Sequence, residues 1–372
     1  MTLVQRLLDV MRTIAPEYLA ESWDQVGLHV GNPDAALTGP VLLTIDLTEA
    51  VAAEAIDMQA GAIVAYHPPL FNAINRITTA DAKGRMLLDL IGAGIAIYSP
   101  HTALDATHGG VADWLIDLAG PGSDRAALLP HESLANTHKL VSFVPKANVD
   151  AVRTALSDAG AGIIGDYEQC SFMLDGSGTF RGGEGTNPTI GTRGTFETVE
   201  EVRLEMVCPK PRLAAIVAAL RATHPYEEPA FDIYSLDAAP DRSTGPGRAL
   251  TLDTPASAHD IAARVRTGLG VKNIRVAAAS DTPITRIGAC PGAGASLVGD
   301  VISAGCQAFI TGEMRHHEVL AALERGCSII LAGHTNTERG YLPVLCDKMH
   351  AIESSLDVRI SEADRWPFDV VA

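Results

Sequence analysis

Histidine and carboxylate residues follow several short apolar runs of the kind that form buried strands. In "YSPHTALDATHGG", His101 and Asp105 lie four residues apart, just beyond the run Ile95–Ile97. Three more segments have a similar arrangement: the residues are Tyr66 and His67 in "AYHPP", Glu313, His316 and His317 in "TGEMRHH", and His334 and Glu338 in "AGHTNTE". Open α/β sheets bind ligands at the carboxyl ends of their strands. Histidines with independent structural roles would not gather there, so the pattern predicts a shared site.

Imidazole and carboxylate groups together form the ligand set of zinc, iron, manganese or nickel. At a spacing of four residues, His101 with Asp105 and His334 with Glu338 can each converge on one point if a helix begins there. With His67 added, these residues provide more ligands than one ion needs. We therefore predict two divalent ions per chain, about 3.5 to 4 Å apart and bridged by a carboxylate, with His67, Asp105, His334 and Glu338 as ligands.

Other polar residues have simpler interpretations. His108 fits a turn or the start of a helix, and His316 and His317 fit residues that support a ligand or face solvent. His224 in "THPYEEP" fits a surface turn. The segment "CPGAGAS" could hold an anion at a helix N-terminus, although it lacks the G-x-G-x-x-G pattern. No Ser or Cys lies in a recognisable nucleophile elbow, so acyl-enzyme chemistry has no support.

Both ends of the chain alternate short apolar runs with amphipathic helices. The N-terminal third contains "VLLTIDL", "GAIVAYHPPL" and "GIAIYSPH", with helices predicted at 49–59 and 84–91 between them. The C-terminal third repeats this plan with "ITRIGAC", "QAFITGEMRHH" and "CSIILAGHTNTERGYLP". Such alternation indicates α/β layers in which parallel strands are covered on both faces.

The middle of the chain follows a different plan. "HKLVSFVPKANVDAVRTALSDAG" and "EVRLEMVCPKPRLAAIVAALRATHP" each run from strand to helix, and another strand follows each. Two such β-α-β units predict a ferredoxin-like α+β domain, with the Gly-rich stretch between them as a long hairpin or exposed loop. We predict a first lobe at residues 1–130, the inserted domain at 131–242 and a second lobe at 243–372.

Composition narrows the class of protein. With 372 residues, of which 47% are hydrophobic and 20% charged, the chain can bury more than one core. Its net charge of −17 and the lack of a basic stripe argue against nucleic-acid binding. The N-terminus lacks a signal-peptide pattern, and no segment has the roughly 18 uncharged apolar residues of a membrane span. The six cysteines are scattered, so we expect neither disulfides nor a thiolate zinc site, and a cytoplasmic location.

Six motifs, in order along the chain, are similar to the signatures of one family. They are "AESWDQVGLHVG", "AYHPPLF", "SPHTALDA", "PGAGAS", "TGEMRHH" and "GHTNTERG". The chain resembles the Nif-three-like dinuclear-metal hexamer family, also labelled GTP cyclohydrolase I type 2 homologue. Its middle segment, with "GAGIIGDYEQCSF", "EGTNPTIG" and "HPYEEPAFDIY", resembles the PII-like or CutA-like ferredoxin-fold domain of longer bacterial members. The resemblance covers nearly the whole chain.

This resemblance implies a Nif-three-like two-lobed α/β core with an inserted PII/CutA-like domain. It implies that His67, Asp105, His334 and Glu338 bind two divalent ions, with Glu338 as the bridge. It makes His101 a further ligand and puts Asp24, in "SWDQVG", near the pocket. It also implies a toroidal homohexamer whose metal sites face an internal cavity.

One position departs from the family pattern. Many members have two histidines before the proline, whereas the first of these positions is Tyr66 in this chain. A neutral phenol is a poorer ligand than an imidazole at neutral pH. We therefore expect the ion served by His334 and Glu338 to bind more weakly than the ion served by His67 and Asp105.

Two functions fit such a site. The first is a metal-dependent hydrolase acting on a nucleotide or another phosphorylated small molecule, in which the ions acidify water and Glu313 or His317 handles protons. The second is a hexameric cage that stores, senses or delivers metal without turnover, which the acidic composition suits. A scaffold with structural metals is less favoured, because histidine and carboxylate ligands usually leave open positions.

Overall fold

The computed structural model describes residues 3–132, 136–237 and 240–368. Residues 1–2, 133–135, 238–239 and 369–372, which fall within the predicted domains, lie outside this description. The chain forms two compact units. One unit is Glu132–Asp241, and the other combines the residues up to His131 with those from Arg242 onward.

The elements follow one another in an α/β order at both ends of the chain. The strands are β1 (Gly27–Val30), β2 (Val41–Thr44), β3 (Ala62–Ala65), β4 (Ala96–Ser99), β5 (Gly122–Ala127), β6 (His131–Glu132), β7 (His138–Pro145), β8 (Phe172–Arg181), β9 (Phe196–Cys208), β10 (Phe231–Ser235), β11 (Pro240–Asp241), β12 (Arg248–Ala256), β13 (Arg275–Ala277), β14 (Ile284–Cys290), β15 (Ala308–Thr311), β16 (Ser328–Leu331) and β17 (Val358–Ile360). The α-helices are α1 (Val4–Ile14), α2 (Glu49–Asp57), α3 (Ala82–Gly92), α4 (His101–Ala106), α5 (Val111–Asp117), α6 (Val149–Asp158), α7 (Leu213–Thr223), α8 (Ala258–Leu269), α9 (Val298–Ser303), α10 (His316–Glu324), α11 (Asn336–Arg339) and α12 (Leu342–Ile352).

Two sheets form the larger unit, each with a parallel centre. The first has the order β1-β4-β3-β2-β17, in which all pairs except β1 with β4 are parallel. The second has the order β13-β16-β15-β14-β12-β5, in which β14, β15 and β16 are parallel and the outer strands are antiparallel. Because parallel neighbours end at the same edge, each sheet gathers its strand-end residues in one place.

Both faces of the central strands are buried, as their unbroken apolar runs predict. In the first sheet, Leu43 and Val64 pack into a core cluster with α1 and α12, whereas Leu42 and Ile63 pack into one with α2 and α3. The second sheet is likewise covered by α5 and α8 on one face and by α9 and α10 on the other. The two-lobed α/β fold is thus confirmed.

The two lobes exchange elements, which the sequence pattern did not reveal. The last strand, β17, pairs with β2 in the first sheet, and β5 pairs with β12 in the second. A buried arginine joins them further: Arg248 on β12 lies 3.0 Å from Asp113 and donates to the carbonyls of Ala106 and Thr107. The chain therefore cannot be divided into independent halves at one cut.

The smaller unit has the predicted β-α-β repeat. Its sheet has the order β10-β7-β9-β8 with every pair antiparallel, which is the strand order of a ferredoxin-like fold. The helices α6 and α7 supply its core residues, among them Val152 and Leu220. The Gly-rich stretch forms the end of a long hairpin between β8 and β9, which is one of the two predicted forms.

The smaller unit is expected to fold when expressed alone as residues 132–241. Its core cluster, including Leu140, Leu204 and Ile216, lies wholly inside that range, so it closes without the rest of the chain. Urea denaturation followed by circular dichroism should show one cooperative transition. Leu204→Asp, which places a charge in this core, should abolish the transition. A parent fragment without a transition would contradict the expectation.

Within the described ranges, no helix combines the length and the apolar character needed to cross a membrane.

Candidate metal centre

The carboxyl edges of the two sheets meet around three side chains. His67 follows β3 of the first sheet, His334 follows β16 of the second, and Glu338 lies on the short helix α11. In the described part of the chain, these three residues are a group of possible ligands whose donor atoms all lie within 4.8 Å of one another. Two imidazoles and a carboxylate are the protein ligands of many catalytic zinc sites.

Glu338 lies between the two imidazoles. Its Oε2 is 3.5 Å from His67 Nε2, and its Oε1 is 3.4 Å from His334 Nε2. The side chain is only 2% exposed, and Oε2 has no hydrogen-bond partner among the described residues. Two ligands at about 2.1 Å from a tetrahedral ion lie about 3.4 Å apart. The spacing and the unsatisfied buried oxygen both fit a bound cation.

Carboxylates hold the far nitrogen of each ring. His67 Nδ1 lies 2.9 Å from Asp46 Oδ1, and His334 Nδ1 lies 3.0 Å from Glu313 Oε1. A carboxylate that accepts from Nδ1 fixes the ring and leaves Nε2 free with its lone pair. Both Nε2 atoms face Glu338, so the rings are oriented as metal ligands would be.

A second set of residues adjoins the first. The ring of His101 lies 5.5 Å from that of His67, and its Nδ1 lies 2.8 Å from the carboxylate of Asp24, which can accept its proton in a hydrogen bond. Asp105 is partly buried and accepts a 2.6 Å hydrogen bond from the Tyr66 hydroxyl. His101 has a φ of +27°, which is strained for a non-glycine residue and of the kind found at functional sites. Neither His101 nor Asp105 belongs to the group around Glu338.

Burial and neighbouring carboxylates shift the pKa values of three residues at the centre. Burial alone would lower the pKa of His67, but the hydrogen bonds and charges of Asp46 and Glu338 outweigh it and raise that pKa to about 10. Burial raises the pKa of Asp105 to about 7, and the charge of Glu338 adds to this. Burial, together with the charges of Asp105 and Glu338, raises the pKa of Tyr66 above its usual value. Burial is the main cause of the pKa shifts of Asp105 and Tyr66, so the shift of His67 is the one that points to nearby negative charge.

The position of Tyr66 differs from our expectation. We expected its phenol to weaken the ion at His334 and Glu338, yet the phenol contacts Asp105 instead. His67 groups with His334 and Glu338, and its charge also acts on Asp105. Tyr66 therefore acts directly on the Asp105 carboxylate.

Of the two residues expected to handle protons, only Glu313 contacts the centre. Its carboxylate, 57% exposed, accepts from His334 Nδ1 if that nitrogen carries the proton. His317 lies in the first turn of α10, exposed, with its ring 5.4 Å from that of His316. His108 is exposed as well. His224 is buried and hydrogen-bonded to the carbonyl of Phe143, so the prediction that His224 lies in a surface turn was wrong.

Two residues of the centre escaped the sequence analysis. Asp46 lies near the end of "VLLTIDL", a strand end that carries no histidine. The sequence analysis considered only strand ends with histidine, so it did not include Asp46. Gly292 in "CPGAGAS" was considered only as an anion-binding turn. Its φ is +63°, and a Cβ on it would lie 2.7 Å from Glu338 Oε1 and 3.2 Å from His334 Nε2. Gly292 therefore keeps open the space that faces both ligands.

Gly292→Ala should abolish metal binding at this centre, because the added methyl group would occupy the space beside Glu338. Metal analysis after dialysis against a divalent ion measures the effect. Gly305→Ala is the matched control, since Gly305 has a similar φ of +75° but open space around it. Both variants should lose about 1 to 2 kcal/mol of stability from backbone strain, and only Gly292→Ala should lose metal. Equal metal contents would contradict the role of Gly292.

The fold and the site define a class of protein: an α/β chain of two interlocked lobes, with a possible metal-binding group between its sheet edges and a ferredoxin-like unit in its middle. The chain belongs to the Duf34/NIF3 (NGG1p interacting factor 3) family, whose model matches residues 2–367. The family assignment made from the six motifs is thus confirmed.

Relatives and solved structures agree with this assignment. The chain is 39% identical over 313 residues to the GTP cyclohydrolase 1 type 2 homolog of Mycobacterium tuberculosis, covering 84% of this chain and 81% of that one. It is 32% identical over 372 residues to the protein of that name from Bacillus subtilis, covering 98% and 97%. The crystal structure of a Bacillus cereus protein related to NIF3 aligns with a TM-score of 0.80 at 32% identity, covering 100% of this chain and 99% of that one.

Proposed function

We propose that the centre binds two divalent ions and that the protein is a metal-dependent hydrolase of nucleotides or other phosphorylated small molecules. The observation that carries the proposal is the placement of Glu338, with a different imidazole Nε2 beside each of its two carboxylate oxygens. His67 and Asp105 would hold one ion and His334 the other, with Glu338 as the shared carboxylate. His101 would be a further ligand.

Three protein ligands leave a coordination position open, which distinguishes catalytic from structural sites. Bound divalent ions supply positive charge that acidifies water and polarises a phosphoryl or carbonyl group. Asp46 and Asp24 keep the rings of His67 and His101 in place through their Nδ1 atoms. The hydroxyl of Tyr66 orients Asp105.

Glu313 is the better supported of the two proton-handling candidates. It lies against His334 and is more than half exposed, so it can accept a proton from water at the centre and pass it to solvent. His317 has no such contact. The substrate class is supported by the name of the relatives, GTP cyclohydrolase 1 type 2 homolog, which describes those proteins.

Turnover by fully metallated protein tests the proposal. Nucleoside mono-, di- and triphosphates and simple phosphoesters should be screened with zinc, iron, manganese and nickel, each with Glu338→Gln as a negative control. Hydrolysis that depends on metal and is lost in the variant would support the enzyme. No turnover, together with stoichiometric transfer of metal to an apoprotein acceptor, would instead identify a metal-handling cage.

We also propose that the chain assembles into a homohexamer. The hairpin of β8 and β9 exposes the large apolar side chains of Phe172, Leu174 and Phe196, and apolar patches of this kind mark protein contacts. Sedimentation at micromolar concentration should give about six times the 39.1 kDa of one chain. Phe172→Asp should shift the distribution to smaller species. A monomeric parent would contradict the assembly.

A further inference from the structure

A cleft of about 580 Å³ opens beside the metal centre on the second lobe. It is defined by the residues Lys272, Arg275, Gly333, Asn336, Trp366 and Phe368, and is called the Trp366 cleft below.

The cleft is continuous with the centre along the chain. Gly333 lines it and directly precedes His334, while Asn336 begins α11, which holds Glu338. Arg275 enters from β13, where it is paired with Leu331 at the carboxyl end of β16. The cleft therefore lies at the same sheet edge as the proposed metal ligands.

The two cations of the cleft have no acidic partner in the described part of the chain. Lys272 and Arg275 are exposed, and neither forms an ion pair with any residue that the structure describes. Asn336 donates its Nδ2 to the carbonyl of Ala332 at 2.9 Å, so its Oδ1 is left to accept from a ligand.

Two aromatic rings form another wall of the cleft. Trp366 and Phe368 are in edge contact, with ring centroids 5.4 Å apart and an interplanar angle of 64°. Trp366 is 37% exposed and Phe368 is 67% exposed, so parts of both rings face the open space. An exposed indole is the preferred stacking surface for a planar heterocycle.

We propose that the Trp366 cleft binds an anionic aromatic small molecule of the nucleoside phosphate class. The heterocycle stacks on Trp366, the phosphate lies against Lys272 and Arg275, and Asn336 Oδ1 accepts from a donor on the ring. The inference rests on the proposed function, because it assigns the substrate of that centre to these residues.

Binding of guanosine 5′-monophosphate, measured by calorimetry, tests the cleft without any need for turnover. Guanosine and ribose 5-phosphate, which lack the anion and the ring respectively, should each bind at least about tenfold more weakly. Lys272→Gln with Arg275→Gln should weaken the nucleotide by about tenfold or more and leave guanosine unchanged. Trp366→Leu should weaken the nucleotide and guanosine alike, by roughly tenfold.

Matched controls lie outside the cleft. Arg325→Gln removes an exposed cation of the second lobe, and Tyr18→Leu removes an exposed aromatic ring of the first. Both should bind the nucleotide as the parent does. All variants should keep the metal content of the parent, which separates the cleft from the centre.

Three results would overturn the proposal. The first is nucleotide binding that is the same in the Lys272 and Arg275 variants as in the parent but is lost when metal is chelated. This result would show that the phosphate binds at the metal centre and not in the cleft. The second is equal affinity for guanosine and its phosphate. The third is a smaller assembly caused by Trp366→Leu, which would show that a second copy of the chain covers the cleft. Nucleotide binding in the Trp366 cleft without turnover would reject the proposed hydrolase activity and still support the proposed ligand of the cleft.

Discussion

Glu338→Gln should remove both ions from the protein. The change keeps the shape of the side chain but removes the charge that lies between the Nε2 atoms of His67 and His334. A carboxylate shared by two cations offsets a repulsion that is strong at such short range. Because the loss of a residue behind a ligand already costs about 10- to 100-fold in metal affinity, loss of the shared ligand should cost at least about 100-fold.

Asp105→Asn is the discriminating comparison. Asparagine can still accept from the Tyr66 hydroxyl, and His67, His334 and Glu338 remain in place. Metal analysis should therefore show one ion lost in Asp105→Asn and both lost in Glu338→Gln. Glu324→Gln, an exposed change on α10, should match the parent. Small and equal losses in the first two variants would reject the bridging role.

Arg248→Met should destabilise the protein by about 3 kcal/mol, since it removes the closer of the two guanidinium partners of the buried Asp113 and leaves only the longer contact with Arg125. The two side chains are 1% and 3% exposed and lie 3.0 Å apart. The guanidinium also donates to the carbonyls of Gly245 and Gly247, which would be left without that donor. Against a typical total of about 5 to 15 kcal/mol, this loss would be large.

Urea denaturation of metal-free protein measures the effect without a contribution from bound ions. Arg359→Met is the control, because Arg359 forms an exposed ion pair with Asp357, a type worth about 0 to 1 kcal/mol. A similar small loss for both variants would show that the buried pair does not hold the lobes together.

The class of fold was predictable because each signal is local. Apolar runs such as "VLLTIDL" show no period-two alternation, and this indicates strands buried on both faces. The strand-helix order of the middle segment likewise predicts its ferredoxin-like topology. The exchange of β5 and β17 between sheets was not predictable, because the sequence of neither strand indicates which strand it pairs with.

The candidate site was predictable only in part. The sheet edges brought His67, His334 and Glu338 together as expected for strand ends. The role of Asp46 depends on a contact with His67 across 21 positions, and that of Gly292 on the absence of a side chain. Such contacts follow from tertiary packing and leave no periodic signal in the sequence.

The pairing of β17 with β2 also bears on how the chain matures during synthesis. The first sheet receives its edge strand, and one of its faces receives the cover of α12, only when residues 342–360 have left the ribosome. Contacts between such distant parts of a chain form slowly and leave apolar surface exposed meanwhile. A chain that ended at Gly340 would contain every proposed metal ligand. It would lack α12 and β17, which complete the first lobe. Premature termination in this region should therefore yield aggregates rather than a smaller active protein.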